Sequence, residues 1–98
     1  MKNLKQCRKK LDAIDKKIVK LFEKRMNVVK DVAIYKFQNN SPVLDQARED
    51  AMFERNLNRF ENQELKKYYG DILKAFTGVS KQYQQEIIKQ IKKTDSNN

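Results

Sequence analysis

The sequence has no histidine and no tryptophan, a single cysteine, a single proline and two glycines. Each shortage excludes something. Without His, neither a Ser–His nor a Cys–His nucleophilic pair can be assembled. The lone thiol, Cys7, excludes an internal disulfide, and one Cys without His leaves a poor donor set for zinc or other transition metals. Cys7 falls on an apolar helix line, where a thiol packs as an inert small hydrophobe. No apolar run approaches the ~20 residues that span a bilayer. Met1-Lys2-Asn3 leads straight into a charged segment, with no secretory signal, so the expected location is the cytoplasm. With so little Pro and Gly, the chain has few places to break.

What the sequence does have is charge and helical periodicity. Its 98 residues make one small domain, with limited surface to bury when alone. The net charge is +9, from 22 basic and 13 acidic residues. It is unevenly spread: residues 1–36 hold twelve Lys or Arg against Asp12, Asp15, Glu23 and Asp31. Such a field favours an anionic partner, whether nucleic acid, acidic membrane or a small polyanion. A solvated lysine face is the plainer alternative.

One heptad line reads Leu4, Leu11, Ile18, Arg25, Val32, and its companion reads Cys7, Ile14, Leu21, Val28, Tyr35. Together they predict a single helix of about 35 residues with an apolar seam. It ends near Asn39-Asn40, because Pro42 biases Ser41 away from helical angles. After a loop over 39–44, Asp45 is a good N-cap for a second helix, with Phe53, Leu57 and Phe60 at stripe spacing and an end between 61 and 63. A third helix carries Leu65, Tyr69, Ile72, Phe76, Val79, Tyr83, Ile87 and Ile91. Gly78 lies inside it at a cost of about 1 kcal/mol relative to Ala, a position suited to the close approach of a neighbour. A polar tail over 94–98 is expected to fray beyond a domain of residues 1–93.

The fold class is therefore all-α: one very long N-terminal helix, a short middle helix and a long C-terminal helix. A 35-residue helix spans about 50 Å, too long for the other two to cover. The seam calls for a second chain, in an intertwined or side-by-side homodimer. A monomer whose first helix folds back is the alternative, but nothing between Lys5 and Lys36 would break that helix.

Several polar side chains fall on apolar faces. Arg25 stands where the seam calls for leucine, and burying a guanidinium is costly unless an anion meets it. A buried salt bridge or a snorkelling side chain are the ordinary outcomes. Lys36 lies eleven residues on, within ~20° of the same direction and about 16 Å further along, so the two cations could grip opposite ends of one small ligand. Arg8 shares the sector but lies about 25 Å from Arg25, so only the Arg8 of a partner chain could reach that ligand. Glu49 continues the stripe of Phe53 and Phe60, with Arg48 beside it. Ser80 and Gln84 sit one turn apart, framed by Phe76, Tyr83 and Ile87. Alone, each such group usually makes a structural hydrogen bond. Together, on the inner faces of three helices, they match the way bundles build ligand sites.

The pattern Arg8…Leu11-Asp12-Ala13-Ile14-Asp15…Ile18…Leu21…Arg25-Met26…Val32…Lys36…Pro42-Val43…Asp45…Arg48-Glu49 resembles the all-α (type II) chorismate mutase family over about residues 4–55. Ser80 and Gln84 match that family's third helix more weakly. The resemblance implies an intertwined helical homodimer with two equivalent sites that rearrange chorismate to prephenate, toward phenylalanine and tyrosine. It implies catalytic roles for Lys36 and Gln84 at the ether oxygen and for Glu49, with the backbone at Asp45, at the ring hydroxyl. Arg25, and Arg8 from the other subunit, would bind carboxylates, with Arg48 and Ser80 completing the wall. No cofactor and no metal are implied, nor nucleic acid or membrane as partner. Without room for a fused domain, the chain is expected to be monofunctional, with docking on a separate pathway enzyme still open. Three alternatives stand beside this: an isochorismate–pyruvate lyase on the same scaffold, a basic nucleic-acid-binding helical dimer, and a coiled-coil adaptor.

Overall fold

Asn3 opens the first helix, its side-chain oxygen accepting from the Gln6 N–H at 2.9 Å. The structure, a computed structural model, describes residues 3–96. It contains α1 (Leu4–Gln38), α2 (Gln46–Leu57), one 3-10 turn (Gln63–Leu65) and α3 (Lys66–Ser96), with no strand among the described residues. The uninterrupted 35-residue α1 matches the heptad reading.

How α1 stops was not visible in advance. Asn40 takes φ 53°, a left-handed value that Asn tolerates. The Asn40 N–H then bonds the Phe37 carbonyl at 3.3 Å and the Ser41 N–H bonds the Lys36 carbonyl at 2.8 Å. This pair of bonds is a Schellman ending, which satisfies carbonyls the helix would otherwise leave open. Asp45 caps α2 as expected, its carboxylate accepting from the Arg48 N–H at 3.0 Å.

Two boundaries differ from expectation. α2 ends at Leu57 rather than between 61 and 63. Arg59 and Phe60 donate to carbonyls only three residues back, on Asn56 and Leu57, which tightens the last turn and releases the chain. Phe60 then packs in the α2–α3 corner against Tyr69, ring centroids 4.9 Å apart, instead of continuing a helical stripe. The segment expected to form a polar tail begins inside α3. α3 continues through Ser96, with the Thr94 hydroxyl donating back to the Gln90 carbonyl, while residues 97–98 lie outside the described residues.

α1 and α3 run parallel, with Phe22 facing Phe76 and Arg25 facing Ser80. α2 returns antiparallel to α3, so that Glu49 meets Lys81 and Phe53 lies beside Gly70. Gly78 is not a close-approach site within the chain: a Cβ built there meets nothing within 4 Å.

The core is small. Val29 and Ala33 of α1 and Leu73 and Ile87 of α3 are the buried hydrophobic residues described. None of the two α1 positions belongs to the heptad lines. Apart from the half-buried Cys7 and Arg25, the seam is exposed, from Leu4 at 63% through Leu21 at 62% to Tyr35 at 64%. α1 thus has two apolar faces, one holding α3 and the other uncovered. The molecule extends over 64 × 28 × 15 Å with a radius of gyration of 17.7 Å. A compact chain of this length would have about 13 Å.

Candidate active site

Three elements converge at the level of the α1 C-terminal turns. α1 contributes Arg25 and Lys36, the capped start of α2 contributes Asp45, Arg48 and Glu49, and α3 contributes Ser80 and Gln84. These seven line one cavity of about 160 Å³, together with Val29, Val32, Val43, Met52, Thr77 and Lys81. Of the residues expected at the site, only Arg8 is elsewhere, exposed on the first turns of α1. The cavity opens beside a larger hollow of about 730 Å³, which shares Val32, Lys36 and Asp45 and is walled by the exposed Val28, Tyr35 and Leu44.

The two α1 cations are held by neutral partners. The Arg25 guanidinium donates to the Ser80 hydroxyl and lies 5.4 Å from the centroid of the Phe76 ring. The Lys36 ammonium donates to the Val43 carbonyl at 2.8 Å and to Gln84 Oε1 at 3.0 Å. Neither outcome ordinarily expected for a seam Arg applies: Arg25 is partly buried, and its partners are a hydroxyl and an aromatic ring rather than a carboxylate. Neutral partners fix a cation's direction without cancelling its charge. Such a site is prepared for an anion.

Local structure sets these directions. The Schellman turn that ends α1 uses the Lys36 carbonyl and swings residues 41–43 back across the helix, which brings the Val43 carbonyl to the Lys36 ammonium. Asp45, as N-cap, fixes the first turn of α2 and hence Arg48 and Glu49. Ser80 and Gln84 are both buried, with their bonds to Arg25 and Lys36 satisfying them. With its oxygen accepting from Lys36, the Gln84 amide N–H₂ remains as a donor toward the cavity.

The sequence reading missed Lys81. It pairs with Glu49 at 3.4 Å and lines the cavity. Its place one residue after Ser80 and three before Gln84 put it on the edge of the right face, but the α2–α3 register that brings it to Glu49 has no sequence signature.

A family model described as chorismate mutase type II matches residues 7–94. The chain belongs to the type II chorismate mutase family. Among curated proteins, a chorismate mutase of Methanocaldococcus jannaschii is 42% identical over 55 residues, a match covering 56% of this chain and 56% of that protein. The chain thus spans about half the length of the curated relative it matches. No solved structure matches. In this cavity the two α1 cations face neutral partners, while Lys81 is paired with Glu49.

Proposed function

We propose that this chain is a chorismate mutase, an isomerase that rearranges chorismate to prephenate in the synthesis of phenylalanine and tyrosine, and that it works in the cytoplasm. One observation carries the reading: Arg25, Lys36, Asp45, Arg48, Glu49, Ser80 and Gln84, widely separated in sequence, line one small cavity whose α1 cations face neutral partners. Chorismate carries two carboxylates, and a pocket rich in Arg suits them.

The reaction is intramolecular. The ether C–O bond breaks as a C–C bond forms between the enolpyruvyl arm and the ring, and no proton, nucleophile or electron is exchanged with the protein. Two things then lower the barrier. Arg25 and Arg48, with Ser80 orienting Arg25, grip carboxylates and hold the arm over the ring in a reactive conformer. Lys36 and Gln84 supply a charged and a neutral donor at the ether oxygen, where negative charge develops. Lys36 has a third ammonium hydrogen beyond the two given to Val43 and Gln84. Glu49 and the backbone at Asp45 hold the ring hydroxyl. Even a modest enzymatic acceleration requires about 8 kcal/mol, and one such preorganised donor contributes about 3 kcal/mol.

The site is completed by a second copy of the chain. The exposed seam of α1, the exposed Leu65 of the 3-10 turn and the exposed Tyr68, Ile72 and Val79 of α3 supply apolar surface for an intertwined homodimer. Arg8 of one protomer then reaches the cavity of the other and adds a carboxylate contact.

The test is a spectrophotometric assay with chorismate and isochorismate side by side, in EDTA, on protein whose fold and mass have been checked. Conversion of chorismate to prephenate is expected. Pyruvate release from isochorismate with no prephenate would point to the lyase instead. No turnover of either would end the reading.

A further inference from the structure

The Glu49–Lys81 pair is the feature that the proposed reaction does not explain. Glu49 faces a cavity meant for a molecule with two negative charges, and a third negative charge on the wall opposes binding. The Glu49 side chain is only 19% exposed, so water screens it poorly. Yet an acceptor oxygen is wanted there for the ring hydroxyl. Lys81 resolves the conflict. Its ammonium lies 3.4 Å from Glu49 Oε1, leaving Oε2 as an acceptor.

We infer that Lys81 is a positioning residue for Glu49: it cancels the carboxylate's charge toward the dianion and fixes its orientation across the α2–α3 interface. The inference rests on the proposed function, since it takes chorismate as the ligand. Lys81 lines the same cavity as Glu49, and the pairing with Glu49 is the one contact of its ammonium that the structure gives. It approaches the cavity from the α2–α3 side and also lines the outer groove of about 580 Å³ with Asp50, Glu54 and Lys74. At 34% exposure the ammonium remains partly hydrated, and a pair of this kind adds little to folding stability. Its effect is therefore expected in binding rather than in melting temperature.

The experiment is steady-state kinetics on chorismate for wild type, Lys81→Met, Lys81→Arg, Glu49→Gln and the Lys81→Met/Glu49→Gln double variant, with melting followed by circular dichroism. Met keeps the stem without the charge, and Gln at 49 keeps length and an acceptor without the charge. Lys81→Met is expected to raise KM about tenfold while kcat stays within about threefold. Lys81→Arg should recover most of the loss, and added salt should shrink it. In the Glu49→Gln background the Lys81→Met change should add no further KM penalty. An unchanged KM in Lys81→Met, or an equal penalty in both backgrounds, overturns the inference and leaves the mutase reading intact. A wild-type chain that does not convert chorismate removes both.

Discussion

Lys36 commits two of its hydrogens to the Val43 carbonyl and to Gln84, so its ammonium is aimed before any ligand arrives. Replacing it with Met should lower kcat by roughly 100-fold or more, the usual loss for one preorganised donor at developing charge. Gln84 offers a sharper test. Its oxygen accepts from Lys36, and its N–H₂ is the part left to donate. A carboxylate at 84 would keep the first bond and lose the second, because only a protonated acid can donate. Gln84→Glu should therefore lose roughly 100-fold in kcat at neutral pH and regain activity as pH falls, read from a pH–rate profile. A flat profile would remove Gln84 from the ether-oxygen role. At this scale much was legible: helix geometry alone put Arg25 and Lys36 in one sector, and Ser80 and Gln84 one turn apart. Lys81 was not, because its significance depends on where α2 lies against α3.

At the scale of the elements, the extent of α1 was readable, since nothing between Lys5 and Lys36 breaks it and Pro42 places its end near Asn39-Asn40. The Asp45 cap was equally plain. The end of α2 was not, because Phe60 keeps helical spacing in sequence while its ring turns to Tyr69. The Asn40 turn was missed for a similar reason: Asn at a left-handed position is tolerated, not demanded. Asp45→Ala should cost about 1 kcal/mol in denaturant unfolding. Because the same cap seats Arg48 and Glu49, kcat/KM should fall in the same variant under conditions where it remains folded. Gly78, with open space around it, predicts the reverse. Gly78→Ala should gain about 1 kcal/mol from helix propensity. A loss instead would mean that a partner chain does approach there, as the sequence alone had suggested.

For the whole molecule, the apolar seam lines that stood out in sequence are largely left exposed, while the buried α1 positions, Val29 and Ala33, lie beside them and Phe22 and Arg25 reach α3 at Phe76 and Ser80. Periodicity marks an apolar face without saying which chain covers it. If the partner's Arg8 completes each site, Arg8→Ala and Arg25→Ala should each be nearly inactive. Mixed in equal amounts and allowed to exchange, they should recover about a quarter of wild-type activity, since half the dimers are hybrids and each hybrid has one intact site. No recovery despite exchange, verified by mass spectrometry of tagged chains, would reject the shared site. Ile14→Glu, on the exposed seam, should yield monomers in sedimentation analysis and abolish turnover with Arg25 and Lys36 untouched.

With four buried apolar side chains among the described residues, a chain whose seam is covered by a second copy would have its folding tied to how crowded it is with its own kind. When association supplies most of the burial, mass action sets the midpoint of thermal unfolding, which should drop with each serial dilution. Specific activity should decay over the same range. A cell that makes only a few copies of this polypeptide would then hold fewer working catalysts than its transcript level suggests, and doubling synthesis would more than double flux.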